Sequence, residues 1–425
     1  MRAGFSTIVQ PLASAERWTR LPIIAPVNRT GADPPFHATV AALALGQLVC
    51  WAALYYAFSS FVLPMRGELG WTLPQTMTAF TIGLALWGVC TYAVGAAIDR
   101  DRGRTVLTLG AALAGIGFVL WSQAHSLVLL YLAWALLGVA MAMTLYDPAF
   151  NVLTRRHPAR FREGITALTL VGGFASTLAF PAVAWLIDGL QWRGALLAIG
   201  LVLLLGIAPL HAWALRGDSA PVSAPSIAGG EATLVDALRL RSFWLLTATF
   251  TLSSFAVAAL FAHLIPAFAE RGRSASDALA IVVWFGPSQV LGRLAVLAVG
   301  RRWSPRRVGL VVFAGQPIAL AIFALADSMP ALLLFALLFG ISNGVSTIVR
   351  GSVVPDYFGR RHLGRISGAM NAISVLSRAA APLAAAGLLV ALGGYRTVLL
   401  VLAVIGVLAW LAFALAGPPP ESEAQ

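Results

Sequence analysis

The sequence predicts an all-α membrane protein, twelve transmembrane helices arranged as two pseudo-symmetric six-helix halves. Three observations predict it. The 425 residues are 59% hydrophobic and 11% charged, with a mean hydropathy of +0.84, too apolar for a soluble multidomain chain. Apolar stretches of the roughly 20 residues that a helix needs to cross a bilayer recur twelve times. Short arginine clusters fall at every second connection between them, the alternation that fixes the orientation of a multi-pass protein.

Residues 1–37 precede the pattern. They carry Arg2, Arg17, Arg20 and Arg29 and several prolines, with no apolar run long enough for a span or a signal-peptide core. They read as a disordered cytosolic tail, with a transit segment or a misassigned start codon as the alternative. Six spans are expected near 38–63, 76–98, 104–123, 127–151, 165–188 and 194–215, forming a first half over 38–215. The only long polar connection, 216–241, holds Ser219, Pro221, Ser223, Pro225, Ser226, Gly229 and Gly230 and reads as a flexible linker. Six more spans are expected near 242–268, 276–299, 306–327, 329–350, 365–388 and 392–416, a second half over 242–416, before a tail at 417–425. An even number of spans with this charge pattern puts both termini and the linker in the cytosol.

The net charge of +12 rests on 29 arginines and no lysine. Such an excess often signals nucleic acid, but 21 of the arginines lie in the six segments assigned to the cytosol, so topology accounts for them and no nucleic-acid partner is called for. Five more, Arg66, Arg193, Arg271, Arg273 and Arg396, fall on the outer side. Cys50 and Cys90 both sit inside apolar segments and support neither a disulfide framework nor a metal site.

The halves repeat at an offset of about 201 residues: Ser176 to Pro181 aligns with Ser377 to Pro382, Leu137-Gly138 with Phe339-Gly340, and Leu63-Pro64 with Ile265-Pro266. Between the second and third spans stands Gly95 to Arg104, GAAIDRDRGR. It resembles the short-loop motif of the major facilitator superfamily, and span count, linker and repeat extend the resemblance along the whole chain. The resemblance implies that the Asp99 carboxylate holds a cytosolic gate against a neighbouring helix end, with Arg100 and Arg104 as charged partners. An acid beside a helix amino terminus is also favoured by the helix dipole. The motif carries one extra residue before Gly103, and the second-half copy has Gly300 where Asp99 would fall. The glycine-rich fifth-span signature of drug exporters is replaced by Gly172, Gly173 and Phe180-Pro181.

Ionisable groups at bilayer depth cost ~2.5 to 3.5 kcal/mol on insertion scales, so the few present are functional candidates. Arg293 in the eighth span lies about 12 Å of helix from Arg301, and Arg378 in the eleventh about 20 Å from Arg365. If they face one cavity with no acid at similar depth, that cavity attracts anions, because a guanidinium stays charged and can donate two parallel hydrogen bonds to a carboxylate. Basic residues in these two spans resemble the oxalate/formate and monocarboxylate branch of the superfamily. That branch carries an acid one turn before the eighth-span arginine, where this chain has Gln289, which cannot exchange a proton. For both arginines a structural bond to backbone carbonyls is the alternative. Tyr92, the repeat partner of Arg293, is a candidate for the same cavity or for packing.

Asp147 and Arg350, near the cytosolic ends of repeat-related spans, are expected to pair across the halves and close the cytosolic side, or Asp147 titrates as a proton site. His263, the only midspan histidine, is either a proton-coupling group or a neutral, hydrogen-bonded helix residue. Gln47, Asn343 and Asn371 line a cavity or bridge helices.

These features point to a secondary active transporter that moves a small organic or inorganic anion by alternating access, possible coupling ion a proton, acting as a monomer in a bacterial inner membrane. A drug-efflux carrier, supported by Trp51, Tyr55, Tyr56, Phe58 and Trp87, and a non-transporting membrane sensor remain open. No phosphate loop and no HExxH run occurs, so neither ATP drive nor an enzyme is expected, and no cofactor or metal is called for.

Overall fold

A computed structural model of the chain describes residues 34–217, 232–299 and 302–419. The tail as far as residue 33, residues 218–231 of the linker, Gly300 and Arg301, and residues 420–425 lie outside the described residues. Among the described residues the regular structure is entirely helical, as a lipid-exposed chain requires, because a helix pairs its own backbone groups.

The first span joins α1 (Phe36–Trp51), a π turn (Ala52–Tyr56) and α2 (Phe58–Leu69), which ends at Gly70 with φ 67°. A capping box between Thr72 and Gln75 opens the second span, α3 (Leu73–Asp99). The third is α4 (Gly103–Ser122). The fourth, α5 (Leu127–Thr144) and α6 (Tyr146–Arg156), breaks at Leu145. The fifth, α7 (Phe161–Gly172) continued by the start of α8 (Ala175–Leu201), breaks at Gly173 and Phe174.

Eleven helices are individually long and apolar enough to cross a membrane, and one of them, Thr177–Ala214, has 38 residues. That is about twice a bilayer crossing. Gln191 inside it has φ 61° and ψ 167°, so the path reverses there and the sixth span follows: the rest of α8, a π turn (Val202–Ile207) and α9 (Ala208–Ala214). Twelve spans result.

Part of the connection read as flexible is ordered. α10 (Leu234–Arg239) starts from a Thr233–Asp236 capping box, whose hydrogen bonds hold the Asp236 carboxyl below the usual carboxylate range. Ala232 donates its N–H to the Phe358 carbonyl at 3.3 Å, tying the segment to the second half. The remaining spans are α11 (Arg241–Glu270), α12 with α13 (Ala275–Val282, Phe285–Val299), α14 (Pro305–Leu325), α15 (Met329–Phe358), α16 (Leu363–Leu392) and α17 (Tyr395–Leu415).

Lipid supplies no hydrophobic drive between helices, so close packing must hold them. In the first half Trp121 and Trp134 are fully buried with ring centroids 5.0 Å apart, and Phe58 meets Trp134 at 4.7 Å. In the second, Phe323 stacks on Phe335 at 4.4 Å. The halves meet along two seams, the second span against the eleventh and the fifth against the eighth and tenth.

Candidate functional site

The polar contacts between the halves gather on the side that carries the linker. Asp99, the last residue of α3, accepts the backbone N–H groups of Gly364 at 2.8 Å and Arg365 at 2.9 Å, in the first turn of α16. Asn151 Nδ2 donates to Ser367 Oγ at 2.9 Å, and Arg155 Nη1 to the Arg361 carbonyl at 3.0 Å. Arg162 Nη2 reaches both oxygens of Asp356 at 2.7 and 2.8 Å. Arg350 Nη2 lies 3.6 Å from Asp147 Oδ1 and donates to Asn371 Oδ1 at 2.8 Å. Together these tie the fourth and fifth spans, and the end of the second, to the tenth and eleventh.

The partners of Asp99 differ from those the resemblance implied. Arg100 is exposed, and Arg104 donates through Nε to the Ala212 carbonyl of the sixth span at 2.9 Å. The free N–H groups of a helix start outbid both side chains, since they cost no side-chain entropy and lie along the helix dipole. Arg155 and Arg162 belong to the cytosolic arginine clusters that topology accounts for, and Asn151 and Ser367 carry no sequence signal. Nothing in their spacing marks partners more than 190 residues away.

On the opposite side the bonds among the described residues stay within each half. Glu68 accepts from Arg193 Nε at 3.0 Å and from the Trp192 indole. Glu270 accepts the Tyr395 N–H at 2.8 Å. His263 places Nδ1 3.1 Å from the Tyr395 hydroxyl and Nε2 3.0 Å from the Pro382 carbonyl.

Between these layers sit the intramembrane arginines. Arg293 is 3% exposed, and its Nε donates to the Gly344 carbonyl of α15 at 3.1 Å. Its Nη1 is buried and has no hydrogen-bond partner among the described residues. The guanidinium crosses to the other half: a Cβ built on Gly173, at the break in the fifth span, would lie 1.6 Å from Nη1. At the neighbouring residue, a Cβ built on Gly172 would lie 2.8 Å from the Tyr146 hydroxyl, which brings that tyrosine to the same break. Arg378 stands over the Trp87 ring at 5.6 Å. Trp51 completes the wall, 5.0 Å from Tyr146 and 6.0 Å from Trp87. Asn371 Nδ2 is a second buried donor with no partner among the described residues.

Gln289 is half-buried against the tenth span, its backbone and Cβ 2.8 to 2.9 Å from where a Gly344 Cβ would stand. Tyr92 is 43% exposed, and its backbone packs on Gly368 at the seam between second and eleventh spans. Tyr146 and Gly173 joined the site without a sequence signal beyond a tyrosine beside Asp147 and a paired glycine.

A buried guanidinium with one Nη left without an acceptor among the described residues, a second cation nearby and aromatic walls can bind an anion by charge-assisted hydrogen bonds, the aromatic surface meeting an apolar tail. The comparisons with known proteins agree with the fold. A family model described as Major Facilitator Superfamily matches residues 43–382 and 289–425. The chain is 28% identical to monocarboxylate transporter 13 of Rattus norvegicus over 75% of this chain and 72% of that protein. It is 30% identical to monocarboxylate transporter 11 of Mus musculus over 64% of each. Among solved structures, the E. coli fucose:proton symporter FucP superposes with a TM-score of 0.72 at 12% identity, covering 90% of this chain and 100% of that one. The human organic anion transporter MFSD10 superposes at 0.67 with 17% identity, covering 90% and 100%. With a family model spanning almost all its helices and the matching twelve-span fold, the chain belongs to the major facilitator superfamily, a multi-pass membrane transporter and not an enzyme.

Proposed function

We propose that this transporter is a secondary active carrier of small organic anions, with a carboxylate received by Arg293. The observation that carries the reading is the buried Arg293 Nη1, which has no acceptor among the described residues. Leaving a buried charged donor unpaired is costly, whereas a carboxylate satisfies it with charge-assisted bonds. Arg378, over the Trp87 ring of the aromatic wall, adds a second positive charge, while Asp147 offsets Arg350. Relatives named monocarboxylate transporters support the substrate class.

Polar ties on the linker side, with bonds on the other side kept within each half, support a state that opens away from the linker. The arginine bias supports a cytosolic linker, so that state faces outward. Asp147 and His263 are the candidates for a coupling proton, since Gln289 cannot carry one.

The test is uptake of radiolabelled carboxylates into proteoliposomes. Arg293→Gln removes the charge at similar reach and is expected to abolish uptake with the fold retained. Uptake at the wild-type rate in that variant overturns the reading.

A further inference from the structure

We propose that Gly173 is a positioning residue for the carrier: its missing side chain leaves a notch that seats the Arg293 guanidinium against the fifth span, so that an anion held at Nη1 is gripped by both halves. The proposal rests on the reading of Arg293 as the carboxylate anchor and adds how the anchor is aimed.

The backbone does not demand glycine here. Gly173 has φ −66° and ψ −23°, an ordinary helical conformation open to any residue, and its N–H donates to the Thr169 carbonyl at 2.9 Å. The space is taken by the tip of Arg293. A Cβ would sit 1.6 Å from Arg293 Nη1 and 2.9 Å from its Cζ, so an added side chain must push that tip aside. The base of the side chain has no such freedom. Cβ atoms on Gly292 and Gly344 would stand only 3.0 Å from Val345 and 2.8 Å from Gln289, so the eighth and tenth spans are in close contact. Arg293 Nε is meanwhile fixed on the Gly344 carbonyl. The base of the side chain thus belongs to the second half and its tip to the first.

The neighbouring glycine holds a first-half group beside that tip. A Cβ on Gly172 would lie 2.8 Å from the Tyr146 hydroxyl. The break in the fifth span therefore brings a second-half guanidinium and a first-half hydroxyl to adjacent residues. An anion bound there links the halves directly, which is what coupling of substrate binding to a rocking motion requires.

The experiment measures binding of acetate, propionate and benzoate to the purified full chain by thermal shift and titration. Gly173→Ala is expected to weaken the strongest of the three by about tenfold, whereas Gly189→Ala, where a Cβ meets open space, changes it less than about twofold. Arg293→Lys keeps the charge on a shorter, single-point donor and is expected to weaken binding measurably. In that background Gly173→Ala should add little, because the group it displaces is gone. Additive losses overturn the proposal, since they mean that Gly173 serves helix packing alone. Should Gly173→Ala fail to fold, the Gly173→Ala/Arg293→Lys double variant decides: recovery of folded protein supports the notch, and continued failure overturns it. Wild-type binding that survives Arg293→Gln defeats the carboxylate reading itself, whereas loss in Arg293→Gln with unchanged binding in Gly173→Ala defeats only the notch.

Discussion

Asp99 caps the helix that begins beside Gly364 in the opposite half, its carboxylate taking the Gly364 N–H at 2.8 Å and the neighbouring Arg365 N–H at 2.9 Å. The bond joins a charge to the positive end of a helix dipole and fixes where the second and eleventh spans cross. Asp99→Asn keeps an oxygen acceptor and loses the charge, at a cost of about 1.5 to 3 kcal/mol for a charged hydrogen bond. The linker side should then open between about tenfold and about 150-fold more often. Met370→Cys, introduced on a cysteine-free background at a 1% exposed position one turn behind this latch, reports the opening through its labelling rate. An unchanged rate in Asp99→Asn would show that the cap does not hold the state.

The same crossing depends on two glycines. A Cβ on Gly95 would lie 1.9 Å from the Gly364 carbonyl oxygen, and one on Gly364 would lie 2.2 Å from that of Gly95. Both obstacles are backbone, so no side chain can swing aside. Gly95→Ala should separate the spans and break the Asp99 cap at once. Its effect on labelling should therefore exceed that of Asp99→Asn, and adding Asp99→Asn to it should change little further.

What the sequence revealed and what it concealed divide along a physical line. Hydropathy and arginine alternation are local properties of a chain in lipid, and each expected span overlaps a helix, with ends that differ by up to eight residues, as for Met329–Phe358 against 329–350. The Asp147–Arg350 approach was legible because the repeat places both at related depths. The Asp99 cap was legible only in part: the acid and the helix end were expected, but the donors are backbone atoms that any residue could supply. Arg155 bound to the Arg361 carbonyl and Arg293 lodged at Gly173 were hidden, because each depends on which faces two distant helices turn toward one another.

Arg350 is held in a setting that predicts an asymmetric double-mutant cycle. Its side chain is 16% exposed, with Asp147 at 3.6 Å, the Asn371 oxygen at 2.8 Å and the Phe250 ring at 5.4 Å. Removing one partner of such a pair strands the other charge, which is worse than removing both. Asp147→Asn should lower the unfolding temperature in detergent, and Arg350→Gln on top should restore part of the loss, with a coupling of about 0.5 to 3 kcal/mol. Additive losses would mean that the pair is screened and contributes nothing beyond its members.

His263 offers the sharpest separation between a structural residue and a proton carrier. Its Nδ1 lies 3.1 Å from the Tyr395 hydroxyl and its Nε2 3.0 Å from the Pro382 carbonyl, joining the seventh, eleventh and twelfth spans. One neutral tautomer satisfies everything: Nε2–H donates to the carbonyl, and Nδ1 accepts from the tyrosine. With Nδ1 protonated, the tyrosine hydroxyl would have to rotate so that its oxygen accepts. Replacing it with Gln, which offers one donor and one acceptor but cannot titrate near neutrality, should lower thermal stability while leaving the pH dependence of carboxylate uptake unchanged. A flattened pH profile with stability intact would instead assign the coupling proton to His263, and Tyr395→Phe would then be expected to shift that profile, because it removes the hydroxyl that faces Nδ1.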